Sequence, residues 1–160
     1  MSVRLTRAIC SRVAAAAADL YERLVVVAGP GTDAKAAGLT AAGAQLGAAR
    51  VNVSLELSQA LLELTARQRS LEAPRLLEQI VATRGGSHVF LGDIELLFLP
   101  ALKVEPLRLL QNLARSRTVV VDWPGPLQGG YLVYAEPGHP EFRKYPASDA
   151  GVVIDAPAES

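Results

Sequence analysis

The run Leu24-Val-Val-Val-Ala28 breaks at once into Gly29-Pro30-Gly31, and the alanine-rich stretch Ala34-Lys-Ala-Ala37 follows. A strand apolar at every position is stable only if both its faces are covered, which is the situation of a central strand in a parallel sheet. Strand, tight turn and helix in immediate succession form half of a βαβ unit. This one stretch therefore points to an α/β architecture.

The rest of the chain repeats the alternation. The spacing predicts a helix over Ala36–Leu46 closed by Gly47, a strand over Val51–Leu55, and a strong helix over Glu56–Arg69. Pro74–Thr83 reads as a further helix with its proline at the start, where a missing N–H costs nothing, and Arg84-Gly-Gly-Ser87 as its stop. His88–Leu91 is a third apolar strand; Glu105–Arg115, with Pro106 in the first turn, is a helix; Thr118–Val121 is a fourth strand. Tyr131–Tyr134 and Val152–Ile154 are short strands on either side of the Glu136–Pro140 turn. Upstream, Leu5, Ile9, Val13, Ala16, Ala17, Leu20 and Leu24 recur at three- and four-residue steps and predict a leading helix over Leu5–Leu24. Successive parallel strands require right-handed crossovers, so the expectation is a mostly parallel sheet with helices on both faces. Residues 1–155 are read as one domain and 156–160 as a flexible tail.

Charge and cysteine content narrow the function classes. Lys and Arg together number 16, as do Asp and Glu, so no net charge favours nucleic acid or an anionic membrane. A single cysteine, Cys10, allows no internal disulfide, and no apolar run approaches the roughly 18 residues that span a bilayer. Arg4, Arg7 and Arg12 ahead of Ala14–Ala18 faintly imitate a leader peptide, but charges bracket the apolar part closely and an amphipathic helix is the better reading. A cytoplasmic protein is expected.

The loop itself is a partial match to the phosphate-binding pattern of Gly, four residues, then Gly-Lys-Ser/Thr. Gly29 opens the pattern and Lys35 stands at the right spacing, with Pro30, Gly31, Thr32 and Asp33 between; Ala34 replaces the second glycine and Ala36 the hydroxyl residue. In P-loop proteins, backbone N–H groups and a helix N-terminus hold phosphate, a lysine neutralises it, and an acidic residue at another strand end serves Mg²⁺ or water. Asp93 and Glu95, just past Val89–Leu91, are candidates for that acidic element, and Asp122 at the end of Val119–Val121 is placed to sense the site from a neighbouring strand. Plainer roles stand beside these. Gly-Pro-Gly is a common tight turn, and Asp93 would serve equally as a helix N-cap. Order and spacing together favour a P-loop NTPase-like domain.

The chemistry at the altered positions argues for a weakened site. Ala34 puts a methyl group where phosphate must approach the backbone, Ala36 lacks the Mg²⁺-ligating hydroxyl, and Asp33 adds a repulsion of about 1–4 kcal/mol at roughly 4 Å. Arg115 and Arg117 are candidate arginine fingers acting across an oligomer interface, although arginines at a helix C-terminus more often complement its dipole. His88 and His139 have no second ligand at metal spacing, so no protein metal site is expected. Trp123 suits a base stack less well than a buried role, and Cys10 lacks a partner histidine.

Several longer motifs carry a family resemblance: Val51-Asn-Val-Ser-Leu-Glu-Leu-Ser58, Leu61-Leu-Glu-Leu-Thr-Ala-Arg-Gln-Arg69, Asp93-Ile-Glu-Leu-Leu-Phe98, Glu105-Pro-Leu-Arg-Leu-Leu110 and Tyr134-Ala-Glu-Pro-Gly-His-Pro-Glu-Phe-Arg143. From about Leu24 to Tyr145 the chain resembles the BrxF family, small P-loop-containing proteins of type III BREX bacteriophage-defence systems. The resemblance implies a bacterial intracellular protein working beside a larger ATPase and other defence components. Contact with DNA would come only through that complex, and self-association is compatible with it. It also implies ATP and Mg²⁺ as cofactors. Family loops are of the Gly-Ser-Gly-Lys-Thr type, and only Gly29 and Lys35 carry over; the family's metal-side aspartate falls on Gly92. Both departures bear on the same Mg²⁺. The expectation is an assembly or regulatory subunit that holds ATP weakly or not at all, the alternative being an ATPase completed by residues from a partner.

Overall fold

The computed structural model describes residues 3–19 and 21–159. Five parallel strands form the main sheet: β1 (Leu24–Ala28), β2 (Ala49–Asn52), β3 (His88–Gly92), β4 (Thr118–Asp122) and, after an insertion, β8 (Val152–Asp155). Their order across the sheet is β2-β3-β4-β1-β8. Each residue of β1 is fully buried between β4 and β8, as its unbroken apolar sequence requires.

Alternate residues of the strands feed two cores. Val25, Val27, Phe90, Val120 and Ile154 pack against α1 (Val3–Asp19) and α2 (Asp33–Leu46). Leu24, Val26, Leu91, Val119 and Val121 face α3 (Val53–Leu61), α4 (Ala66–Arg84) and α5 (Pro106–Leu113) on the other side. The α/β expectation, with helices on both faces of a parallel sheet, is met. α1 buries Leu5, Ile9, Val13 and Ala16 of the spacing read from the sequence but leaves Ala17 exposed; it ends at Asp19, Leu20 lies outside the described residues, and Leu24 belongs to β1.

Three boundaries differ from expectation for local reasons. The second strand stops at Asn52, whose side chain accepts the Leu55 N–H and so begins α3 at Val53, inside the sequence taken as strand. The helix expected over 56–69 is divided at residues 62–65, where Thr65 and Gln68 form a reciprocal capping box that starts α4. Pro74 consequently lies inside α4 and not at its start. Pro106 does occupy the first turn of α5, with Glu105 as its cap.

Between β4 and β8 a small antiparallel sheet is inserted, β5 (Leu127–Gln128), β6 (Tyr131–Tyr134) and β7 (Arg143–Pro146). It is joined to the main body by aromatic contacts. Phe98 stacks on Tyr134 with centroids 3.9 Å apart and meets the edge of Trp123 at 5.5 Å; Trp123 in turn meets Tyr145 at 6.0 Å. Trp123 is fully buried and its indole N–H donates to the Val133 carbonyl, which excludes it as a base-stacking surface. Within the segment read as a flexible tail (156–160), Ala156–Glu159 forms a helical turn, α6, with Ala156 buried in the core beside α1, and Ser160 lies outside the described residues. No helix of the described residues is long and apolar enough to cross a membrane.

Candidate functional site

β1 and β4 are neighbours whose outgoing connections leave on opposite faces, since α2 packs with α1 whereas the segment after β4 joins the α3–α5 side. Such a reversal opens a crevice at the carboxyl ends of the strands. In this crevice lies a cavity of about 320 Å³, lined from β1 and α2 by Pro30, Gly31 and Lys35 and from β4 by Asp122, Pro124 and Gly125. Asp93 and Glu95 close it from the end of β3. Sequence order alone had brought the loop, Asp93, Glu95 and Asp122 to one end of the sheet, and the fold places them around one space.

Lys35 is the centre of the arrangement. It is 2 % exposed, and its ammonium donates to the Gly29 carbonyl (2.8 Å) and the Trp123 carbonyl (2.7 Å) while pairing with Asp122 Oδ1 at 2.7 Å. All three ammonium hydrogens thus have an oxygen within reach in the chain itself. Two further bonds run along the same seam, from the Gly29 N–H to the Gly125 carbonyl and from the Trp123 N–H to the Val27 carbonyl. Gly29 adopts φ +129°, and a Cβ there would lie 2.7 Å from Pro157 Cδ of α6. That position is closed to any side chain.

The loop between β1 and α2 is short. Four residues, Gly29 to Thr32, separate β1 from α2, so Asp33, Ala34 and Lys35 belong to the first helical turn. Thr32 caps that turn, its hydroxyl accepting the Lys35 N–H and its carbonyl the Ala36 N–H, and the Thr32 N–H bonds back to Pro30. The Gly29, Thr32, Lys35 and Ala36 N–H groups are thus engaged within the chain. Ala36 contributes a methyl group and Gly92 no side chain, so neither supplies a side-chain donor. Among the described residues no group of three or more His, Cys, Asp or Glu side chains is placed to hold a metal ion. Asp93, Glu95 and Asp122 are the carboxylates that line the cavity.

Asp93 sits at φ +49°, in the left-handed region, and its side chain makes no capping bond to the 3₁₀ turn Ile94–Phe98 that follows. Its carbonyl accepts from both the N–H and the hydroxyl of Ser54, whose oxygen also accepts the Leu96 N–H. Ser54 therefore fixes the β3 end against α3, a role with no signal in the sequence. The Trp123 and Gly125 carbonyls were also missed as site groups because they act through the main chain; only the Gly/Pro content after β4 hinted that the backbone there approaches something closely.

The two candidate arginine fingers are elsewhere. Both lie between α5 and the start of β4, at the opposite end of the strand from Asp122. Arg117 makes a two-pronged pair with Glu78, and Arg115 pairs with Glu22 and lies over the Tyr21 ring. His88 contacts Ser87, and His139 accepts the Glu141 N–H. Burial pushes the Cys10 thiol above its ordinary value, which disfavours the reactive thiolate. In comparisons with known proteins, the chain matches no protein-family model, no curated protein and no solved structure.

Proposed function

We propose that the chain is a P-loop-type α/β subunit whose nucleotide site has become mainly structural, so that it serves as an assembly or regulatory component and holds ATP weakly or not at all. The observation that carries this reading is the threefold engagement of the Lys35 ammonium by Gly29, Trp123 and Asp122. A lysine so held cannot meet phosphate without giving up bonds already made. Position supports the ancestry: the loop, the lysine and the acidic strand ends converge where strand direction reverses, the usual ligand crevice of open α/β sheets. The missing hydroxyl at Ala36 supports weakened metal-dependent chemistry.

The biological setting rests on the sequence resemblance to the BrxF family, which suggests a larger ATPase and other BREX defence proteins as partners in the bacterial cytoplasm. A second reading, an ATPase completed by a partner, draws on Asp93 and Glu95 lining the cavity. Thermal melting with and without MgATP separates the two. A ligand at 100 times its dissociation constant stabilises the native state by about 2.7 kcal/mol. The proposed subunit shows no shift at micromolar MgATP, in the wild type or in Lys35→Ala. A saturable micromolar shift abolished by Lys35→Ala, with phosphate release that needs Asp93, establishes the second reading and overturns the first.

A further inference from the structure

We propose that Asp122 is a built-in competitor for phosphate at Lys35, a carboxylate that takes the place of the ligand anion and holds the crevice in a latched state. This inference rests on the reading of the crevice as a P-loop-type site and names what regulates it. The pair is asymmetric: the Lys35 side chain is 3 % exposed and the Asp122 side chain 39 %, at a separation of 2.7 Å. The lysine is fixed by burial and two carbonyls, whereas the carboxylate faces the cavity and can leave it for water. Asp122 is thus the partner that an incoming anion can displace.

The closed loop belongs to the same state. Lys35 ties the first turn of α2 to the Gly29 and Trp123 carbonyls, while the Thr32 cap consumes the neighbouring N–H groups. Gly31, between them, has nothing within 4 Å of where a Cβ would stand. The loop at Gly31 thus borders open space, while Gly29 is pinned to Gly125. An anion that displaces Asp122 gains the lysine and, with the loop opened, the backbone donors. Its apparent affinity is the intrinsic one reduced by the fraction of molecules that are unlatched. The ligand class is a polyphosphate anion, met by the Lys35 charge in a cavity that Asp93 and Glu95 also line.

The test measures binding of metal-free inorganic tripolyphosphate by calorimetry to the wild type, Asp122→Asn and the Asp122→Asn/Lys35→Met double variant. Asparagine keeps the shape and one acceptor oxygen while removing the charge; Asp122→Ser is the second variant, and cooperative melting confirms that each is folded. The latch predicts binding about tenfold tighter in both single variants than in the wild type. The gain disappears in the double variant. In the wild type, the Asp122 carboxyl ¹³C resonance moves toward that of a free carboxylate as the ligand saturates. Equal or weaker binding in the single variants, including no binding by any form, overturns the latch. Micromolar affinity already in the wild type contradicts instead the reading of a weak site, whatever the variants do.

Discussion

The Lys35 ammonium donates to the Trp123 main-chain carbonyl at 2.7 Å, and the side chain of that same tryptophan carries the aromatic contacts that hold the inserted sheet. The loop after β1 and the β5–β7 insertion are therefore coupled through one residue. Lys35→Met removes the donor and leaves Asp122 and two carbonyls without it. Loss of a buried, charge-assisted set of this kind costs about 2–3 kcal/mol. Urea denaturation is expected to show a lower midpoint with an unchanged slope.

Gly125 is the second point at which the insertion meets the crevice. A Cβ there would lie 1.9 Å from the Val133 carbonyl oxygen, an overlap that only backbone movement relieves. Gly125→Ala is expected to destabilise the fold by about 3 kcal/mol or more, read as a fall in melting temperature. A change within about 0.5 kcal/mol would show that the β4–β5 connection is not packed as described.

Thr118, fully buried at the start of β4, has a hydroxyl without a hydrogen-bond partner among the described residues. Thr118→Val replaces the hydroxyl with a methyl group of similar size and removes the desolvation cost. Stability is expected to rise by about 1 kcal/mol. A fall of that size in chemical denaturation would mean that the hydroxyl is satisfied in solution.

Tyr145 gives the fold an alkaline limit. Burial, then the hydrogen bond its hydroxyl donates to Glu105 Oε2 at 2.7 Å and the Glu105 charge, raise it above the ordinary tyrosine value of 10. Because the folded-state value is raised, the stabilising contribution is complete below pH 10, the unfolded value, and is lost as pH rises from there through the folded value. Stability measured across this window is expected to fall more steeply in the wild type than in Tyr145→Phe. Parallel slopes would rule out this contribution.

The legibility of the sequence followed the physics of each element. β1 and β4 were readable because an all-apolar run has one comfortable environment, and α5 because Pro106 stands in the expected first turn, although Glu105 is its cap and not its first residue. The end of β2 was not, since Val53-Ser-Leu55 alternates like a strand and only the Asn52 side chain, a single residue, turns it into a helix. Pro74 misled for a similar reason: the capping box at Thr65 fixes the start of α4 nine residues upstream, and tertiary packing of Ala73 and Leu77 holds the helix through the proline. In the crevice, Lys35 was found from its spacing to Gly29, and Asp93, Glu95 and Asp122 because charged side chains after buried strands are conspicuous. The Trp123 and Gly125 carbonyls were not, because main-chain acceptors leave no mark on the sequence.

The central claim is that Lys35 is already satisfied within the chain and that nucleotide is held weakly in consequence. Calorimetric titration of the wild-type protein with MgATP at neutral pH tests it most directly. The account predicts a dissociation constant no tighter than about 1 mM, which corresponds to roughly 4 kcal/mol of binding free energy. Saturable binding near 1 μM, about 8 kcal/mol, would contradict it.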